Sequence, residues 1–186
     1  MACGYGPATT GGWGVSMSHG VRVERNRLRF AAGHFATFAD ELEPIHGHNY
    51  DVMVEVEGPL TDESWVIDFS LLKRLTREVC ATLDHKFLLQ MDSRVLTIRD
   101  EGSHYEVQYK AEASYRLPKH DVAALPIDNS TAERLSEYIA GELAVALGES
   151  GGPKNAGGEE RDGLTRLKVT VEEMPGQSAW FALALG

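Results

Sequence analysis

The feature that most constrains the fold is residues 45–58, IHGHNYDVMVEVEG, in which apolar and polar side chains alternate with a period of two. Such alternation is typical of a β-strand with one buried face. His46 and His48 are two positions apart in this strand, so their side chains project from the same face. The chain must therefore build a sheet that carries two imidazoles side by side.

Other patterns predict the elements around this strand. They are strands at residues 21–35, 164–173 and 178–185, and helices at residues 70–83 and 131–147. Asn26 is a candidate bulge in the first strand, and the last two strands form a hairpin that turns at Pro175-Gly176. Ser70 is expected to cap the first helix, and the second helix begins at Ser130 or Thr131.

Segments without periodicity flank and interrupt these elements. Residues 1–20 and 149–163 are rich in glycine, which predicts a flexible N-terminal tail and a flexible linker. Residues 91–125 lie between the two helices and indicate an inserted β-hairpin that turns near Glu101–Ser103. We therefore predict a single α+β domain over residues 21–186.

Composition excludes several classes of partner. The formal net charge of −10 disfavours binding to nucleic acid or to an anionic membrane surface. No stretch approaches the roughly 20 apolar residues that span a bilayer, and the N-terminus lacks the features of a secretory signal. Cys3 and Cys80 are the two cysteines and imply no disulfide framework. We expect a cytoplasmic protein without nucleic-acid or membrane partners.

The final strand predicts self-association. Residues 178–185, SAWFALAL, are apolar on both faces, which is expected of a sheet that is covered on both sides. The two predicted helices of one chain can cover only one of these faces. A neighbouring copy is expected to cover the other, so we predict a homo-oligomer.

A third histidine extends the pair. His34 ends the first strand, where an antiparallel neighbour would bring it close to His46 and His48. Three neutral imidazoles leave one of the four zinc positions open, which is typical of a catalytic site. The spacing alone leaves two interpretations open, a zinc site and three ordinary core or surface histidines.

Four stretches together resemble the 6-pyruvoyl-tetrahydropterin synthase family, which includes 6-carboxy-tetrahydropterin synthases: AGHF, HGHNYDVMVEVEG, VIDFSLLKRL and LDHKFLL. The resemblance runs from about Val21 to Phe181. It implies a tunnelling fold, a four-stranded antiparallel sheet with two helices on one face. It also implies a pterin substrate, zinc bound by His34, His46 and His48, and trimers or hexamers with active sites between subunits.

The resemblance also assigns roles outside the histidines. Asp84 and His85 match a catalytic Asp-His pair, although such residues also commonly end a helix. Glu173 matches a glutamate that anchors the pterin through paired hydrogen bonds. Thr131 and Glu133 match a Thr-x-Glu segment that contacts the pterin. Glu133 has a second explanation, because with Ser130 it completes a Ser-x-x-Glu capping box at the helix start.

One departure from the family bears on the reaction. Typical members carry a cysteine shortly before HGH, whereas here Glu43 stands three residues before His46. This resembles a cysteine-lacking branch in which glutamate takes over and dihydroneopterin is cleaved to 6-hydroxymethyl-dihydropterin. The leading hypothesis is a zinc-dependent lyase with Glu43 as its base, unless Glu43 is only one of several loop acids. The alternatives are a 6-carboxy- or 6-pyruvoyl-tetrahydropterin synthase acting on dihydroneopterin triphosphate, and a non-catalytic pterin- or metal-binding oligomer.

Overall fold

The structure is a computed structural model that describes residues 18–25, 28–150 and 163–185. In chain order the strands are β1 (His19–Val23), β2 (Arg29–His34), β3 (Thr37–Phe38), β4 (Glu41–Leu42), β5 (His46–Gly58), β6 (Lys86–Gln90), β7 (Leu96–Asp100), β8 (His104–Tyr109), β9 (Ala113–Pro118), β10 (Val122–Leu125), β11 (Arg166–Met174) and β12 (Gln177–Ala184). The helices are α1 (Phe69–Leu83) and α2 (Ala132–Glu149), and a 3-10 turn covers Lys119–Asp121. Most of the predicted tail and linker, and the predicted bulge residue Asn26, lie outside the described residues.

One large mixed sheet organises the fold. Its strands follow the order β10-β6-β2-β5-β11-β12, and β1 pairs with β5 beyond the end of β2. The strands β2, β5, β11 and β12 are antiparallel neighbours, as predicted, but β6 runs parallel to both β2 and β10. The prediction of a four-stranded sheet was therefore wrong in its extent. After α1 the chain turns at His85, which has a φ of 57°, and continues directly as an added strand beside β2.

The predicted first strand is divided in two. Val23 pairs with Val54, and Arg29 pairs with Asp51. The chain therefore advances six residues from Val23 to Arg29 while β5 advances only three. Next to this offset, Val52 N of β5 donates a 2.8 Å hydrogen bond to Leu28 O. The first strand also begins at His19, inside the segment predicted as a tail.

Both helices pack on one face of the sheet, as predicted. The main apolar core between them includes Val52, Val54 and Val56 of β5, Val169 and Val171 of β11, Leu72, Leu75 and Leu83 of α1, and Leu135, Ile139 and Leu143 of α2. On the opposite face, Trp180 of β12 is 59% exposed among the described residues. That a neighbouring copy covers this face of the sheet stays a prediction. Within the described ranges, no helix combines the length and apolar character that a membrane crossing needs.

The helix starts differ by one or two residues from the prediction. Asp68, rather than Ser70, caps α1, because its Oδ1 accepts a 2.8 Å hydrogen bond from Ser70 N. Thr131 caps α2, and its hydroxyl accepts from Arg134 N at 3.5 Å. The predicted Ser130–Glu133 capping box is therefore wrong. Ser130 precedes the N-cap residue and is buried.

The insert is larger than the predicted hairpin. β7, β8 and β9 form a separate three-stranded antiparallel sheet, and β10 then returns to the main sheet. The first turn lies where it was predicted, with Gly102 at a φ of 75°. The second turn has Lys110 at a φ of 48° and lacks a glycine, which explains why the sequence did not reveal it. The insert packs on a second apolar cluster around Phe35, Leu89, Leu96, Val107 and Tyr109.

Candidate active site

Three imidazoles converge at the junction of β2 and β5. The antiparallel register pairs His34 with His46, and His48 follows on the same face of β5. The Nε2 atoms of His34 and His46 are 3.1 Å apart. One ligand nitrogen from each of the three residues lies within 4.8 Å of the others. The predicted convergence of these rings is therefore present, and the three nitrogens could hold one metal ion.

Hydrogen bonds orient two of the rings toward that point. His34 Nδ1 lies 2.9 Å from Ser130 O, and His46 Nδ1 lies 2.8 Å from Pro44 O. A carbonyl oxygen can only accept, so each Nδ1 carries the proton and each Nε2 presents its lone pair to the shared centre. This is the arrangement in which proteins usually hold histidine ligands.

The environment of His34 favours the neutral form that binds a metal. His34 is only 2% exposed, and burial lowers its pKa to about 4, although the hydrogen bond with Ser130 acts in the opposite direction. The neighbouring His46 and His48 lower the pKa of His34 further. Because metal ligation requires a neutral imidazole, no proton has to be removed from this ring near neutral pH.

A cavity of about 450 Å³ opens in front of the three histidines. Besides the histidines, its lining consists of Ala36, Thr37, Phe38, Glu43, Thr131, Ala132, Glu133, Glu173, Met174, Gln177, Ser178 and Ala179. The structure thus brings together Glu43, Thr131, Glu133 and Glu173, all of which the sequence singled out. No lysine or arginine of the described residues lines the cavity, so three carboxylates dominate its charge.

Glu173 has a buried oxygen that lacks a protein donor. Its Oε1 makes no hydrogen bond within the described part of the chain, and burial raises the pKa of this carboxyl group. The nearby His48 acts in the opposite direction. Glu172 points away from the cavity, and its Oε1 accepts a 2.7 Å hydrogen bond from Gly176 N. A buried acceptor without a donor is rare in folded proteins, which makes Glu173 a candidate for binding a ligand N–H.

Glu43 lies at the end of a short hairpin that leads into β5. Its backbone N donates to Ala36 O at 3.0 Å, which holds the residue next to the cavity wall. The Glu43 carboxylate is exposed, and its charge raises the pKa of both His34 and Glu173. Glu43 is therefore close enough to act electrostatically on the histidine cluster and on the buried carboxylate.

Asp84 and His85 form a pair but lie elsewhere. Asp84 Oδ1 accepts from Ala31 N at 2.8 Å, and Asp84 Oδ2 lies 2.9 Å from His85 Nδ1. The hydrogen bond from Ala31 lowers the pKa of Asp84, and His85 lowers it further. The His85 side chain is 84% exposed and borders a second depression, whose lining includes Gly33 and Gly47 and also His46 and His48. The structure does not bring this pair into the cavity of the same chain.

Sequence reasoning missed the role of Ser130. The Ser130 Oγ donates to Phe35 O at 2.9 Å and lies 3.2 Å from His34 Nδ1. The hydroxyl and the carbonyl oxygen of Ser130 therefore both contact His34. The signal was the polar run at residues 128–131, which is longer than a helix cap requires. It also missed Tyr50, whose buried hydroxyl lacks a partner among the described residues and whose pKa is raised by burial and by Glu173.

Fold and site together define an α+β protein with three histidines that could hold a metal ion beside an acidic cavity. The model of the 6-pyruvoyl tetrahydropterin synthase family matches residues 23–183. The chain belongs to this family, as its sequence motifs predicted.

Three proteins illustrate the similarity. A Methanocaldococcus jannaschii protein assigned as a 6-carboxy-5,6,7,8-tetrahydropterin synthase is 32% identical over 157 residues, covering 83% of this chain and 89% of the relative. A dihydroneopterin monophosphate aldolase from Pyrococcus furiosus is 39% identical over 62 residues, covering 33% of this chain and 53% of the relative. The crystal structure of 6-pyruvoyl tetrahydropterin synthase from Plasmodium vivax matches with a TM-score of 0.79 and 31% identity, covering 91% of this chain and 99% of that one. In two further structures of the Plasmodium protein, a glutamate described as a catalytic residue is replaced by alanine or by cysteine.

Proposed function

We propose that the protein is a zinc-dependent pterin lyase that cleaves the side chain of a dihydroneopterin-type substrate to 6-hydroxymethyl-7,8-dihydropterin. The observation that carries this proposal is that Glu43 lines the same cavity as the three histidines and Glu173. The described cysteine, Cys80, is buried in α1, and burial raises the pKa of its thiol to about 12. Cys80 therefore cannot supply the thiolate on which typical family members depend.

His34, His46 and His48 would hold the zinc ion. Their three neutral nitrogens match the ligand set of a catalytic zinc site with one open position. When bound there, zinc supplies a Lewis acid that makes a side-chain hydroxyl of the substrate easier to deprotonate. The hydrogen bonds of His34 and His46 to backbone carbonyls would keep their Nε2 atoms available for zinc.

Glu173 would anchor the pterin ring. Its unpartnered Oε1 can accept from the ring amide or the 2-amino group, and the second carboxylate oxygen can accept from the other. Such donors relieve the unfavourable burial of the carboxylate, so the cavity gains most from a ligand with two adjacent N–H groups. Thr131 and Glu133 line the same cavity at the start of α2 and would contact the bound ring.

Glu43 would act as the general base. Its carboxylate takes the proton from the hydroxyl on C2′ of the substrate side chain, and the bond between C1′ and C2′ breaks. The electron pair passes into the conjugated ring, and a proton returned at C1′ completes the hydroxymethyl group. A two-carbon aldehyde leaves. Support comes from the Plasmodium relative, whose glutamate is described as catalytic, and from the relative named as an aldolase.

Asp84 and His85 would serve a neighbouring copy. His85 borders a depression that Gly33, Gly47, His46 and His48 also line, and it does not line the cavity that contains Glu43. From there His85 would return or remove a proton in a site completed between subunits of a trimer or hexamer. This arrangement would also cover the sheet face that carries the exposed Trp180.

A second candidate is a 6-carboxy-tetrahydropterin synthase acting on dihydroneopterin triphosphate. The assigned activity of the Methanocaldococcus relative favours it over most of the chain. The charge of the cavity disfavours a triphosphate substrate, because the described lining has three carboxylates and no cationic side chain. Cationic side chains that bind a triphosphate would have to come from residues outside this lining.

Product identification separates these activities and the non-catalytic alternative. The purified protein is incubated with dihydroneopterin, its monophosphate and its triphosphate, and the pterin products are identified by mass spectrometry. We expect 6-hydroxymethyl-dihydropterin from the parent protein and from Glu41→Ala, and none from Glu43→Ala. Triphosphate release with a carboxy or pyruvoyl product would support the second candidate. Equal, negligible turnover by the parent and Glu43→Ala would indicate a binding protein without catalysis.

A further inference from the structure

The hairpin that leads to Glu43 has an unfavourable turn. β3 and β4 are joined by Ala39 and Asp40, which have φ values of 51° and 61°. Two-residue hairpin turns with positive φ at both positions normally use Asn-Gly or Asp-Gly, because other side chains are strained there. The two strands contribute only two residue pairs, so the hairpin has little pairing of its own to hold this conformation.

The insert holds the tip of this hairpin. The carbonyl oxygen of Asp40 accepts hydrogen bonds from the Tyr109 hydroxyl and from Lys110 Nζ, the latter at 3.1 Å. Tyr109 is only 4% exposed and belongs to the second apolar cluster, against which Leu42 of the hairpin also packs. The Lys110 ammonium lies 4.7 Å from the centre of the Tyr109 ring, which keeps the two donors together.

The hairpin is fixed at its base by another contact. Asn129 Oδ1 accepts from Thr37 N at 2.9 Å, and Asn129 Nδ2 donates to Thr37 O at 2.8 Å. Phe38 lies between the two anchors, Glu43 follows β4 next to Ala36, and both residues line the cavity. β4 has only two residues and connects Asp40 to Glu43, so release of the tip would loosen β4 and shift Glu43 while the three histidines keep their positions.

We propose that Tyr109 and Lys110 are positioning residues, through which the insert holds the strained Ala39-Asp40 turn and thereby keeps Glu43 over the histidine cluster. The inference rests on the proposed role of Glu43 as the base. This proposal gives a role to residues 91–125, none of which lines the cavity. The insert acts on the rate of the reaction through geometry rather than through contact with substrate.

Activity measurements test the positioning role. Tyr109→Phe and Lys110→Met, combined, remove both donors while keeping the buried ring. We expect kcat to fall at least tenfold while KM and zinc content stay within twofold of the parent. Tyr115→Phe is the matched control, because its hydroxyl makes no hydrogen bond among the described residues, and it should match the parent. An unchanged kcat in the double variant, or an equal fall of kcat in Tyr115→Phe, would overturn the inference.

Rescue separates positioning from general destabilisation. Ala39→Asn with Asp40→Gly supplies residues that adopt the turn readily, so this pair should restore kcat in the Tyr109→Phe/Lys110→Met protein. Restored folding without restored kcat would contradict the proposal.

Amide hydrogen exchange tests the hairpin independently of the reaction. The Glu43 N–H, which donates to Ala36 O, should exchange at least tenfold faster in the double variant. An unchanged exchange rate of the Glu43 N–H would refute the inference, whichever product the enzyme makes. Faster exchange in the variant, together with a parent whose product does not depend on Glu43, would instead overturn the proposed function and leave the hairpin contact standing.

Discussion

Gly47 stands between two of the proposed metal ligands and offers a sharp test of the site geometry. A Cβ added at Gly47 would lie 2.8 Å from the carbonyl oxygen of Ala32 on the neighbouring strand β2. This oxygen belongs to the backbone, so the strands must separate to admit a methyl group. Forced overpacking costs about 1–3 kcal/mol, and the lower entropy of the unfolded alanine chain offsets about 0.4–1 kcal/mol of that. We expect Gly47→Ala to lower the free energy of unfolding by about 1–2 kcal/mol.

Gly33 provides the matched control because it lies opposite Gly47 in the same strand pair. A Cβ at Gly33 would lie 3.6 Å from both His46 O and the Phe87 ring, which is ordinary van der Waals contact. Gly33→Ala should therefore leave the stability unchanged or raise it slightly. A stability difference of about 2 kcal/mol corresponds to about 4–8 °C in Tm for a chain of this size.

Thermal unfolding measures this difference. Both variants are unfolded at one protein concentration, in the presence of a chelator so that metal binding does not contribute. Zinc affinity is then measured separately, and we expect it to fall only in Gly47→Ala, since that substitution displaces the strands that carry His34 and His46. Equal Tm and equal zinc affinity for the two variants would refute the close approach of β2 and β5 at this point.

Three further predictions address the metal, the pterin and pH. His46→Ala should lose most of its zinc by metal analysis, and unchanged stoichiometry would contradict the three-histidine site. Glu173→Ala should weaken pterin binding by about 2–3 kcal/mol in calorimetry, whereas Glu172→Ala, which faces away, should bind normally. The lowered pKa of Asp84 means that its contribution to stability is present above the ordinary carboxyl pKa and is lost as pH falls through the lower folded value. Asp84→Asn keeps an acceptor for Ala31 N, so its stability should fall less steeply in acid, and identical acid unfolding curves would count against this.

The histidine cluster was predictable because it depends on local rules. Alternation placed His46 and His48 on one face, and a short connection between two strands made an antiparallel pair, which put His34 opposite His46. The same alternation placed Glu173 with Val169 and Val171 on the inner face of β11. These inferences need only the period of a strand and the direction of its neighbour.

The remaining features depend on contacts between distant segments. Ser130 and Thr131 are both good helix caps, and the choice between them is decided by the buried hydrogen bonds of Ser130 with His34 and Phe35. The turn at Lys110 lacks glycine, asparagine and proline, so nothing local marks it. The position of His85 outside the cavity depends on the contact of the turn after α1 with β2, where His85 N donates to Ala31 O, and the motif does not record this contact.

That separation has a consequence for mixed assemblies. If Glu43 acts in the cavity of its own chain and His85 acts in that of a neighbour, a chain damaged at one position still brings an intact copy of the other. Glu43→Ala and His85→Ala proteins, each inactive alone, should then regain turnover when they are dissociated together and reassembled. Random pairing would restore about one site in four, so two defective subunits can complement one another.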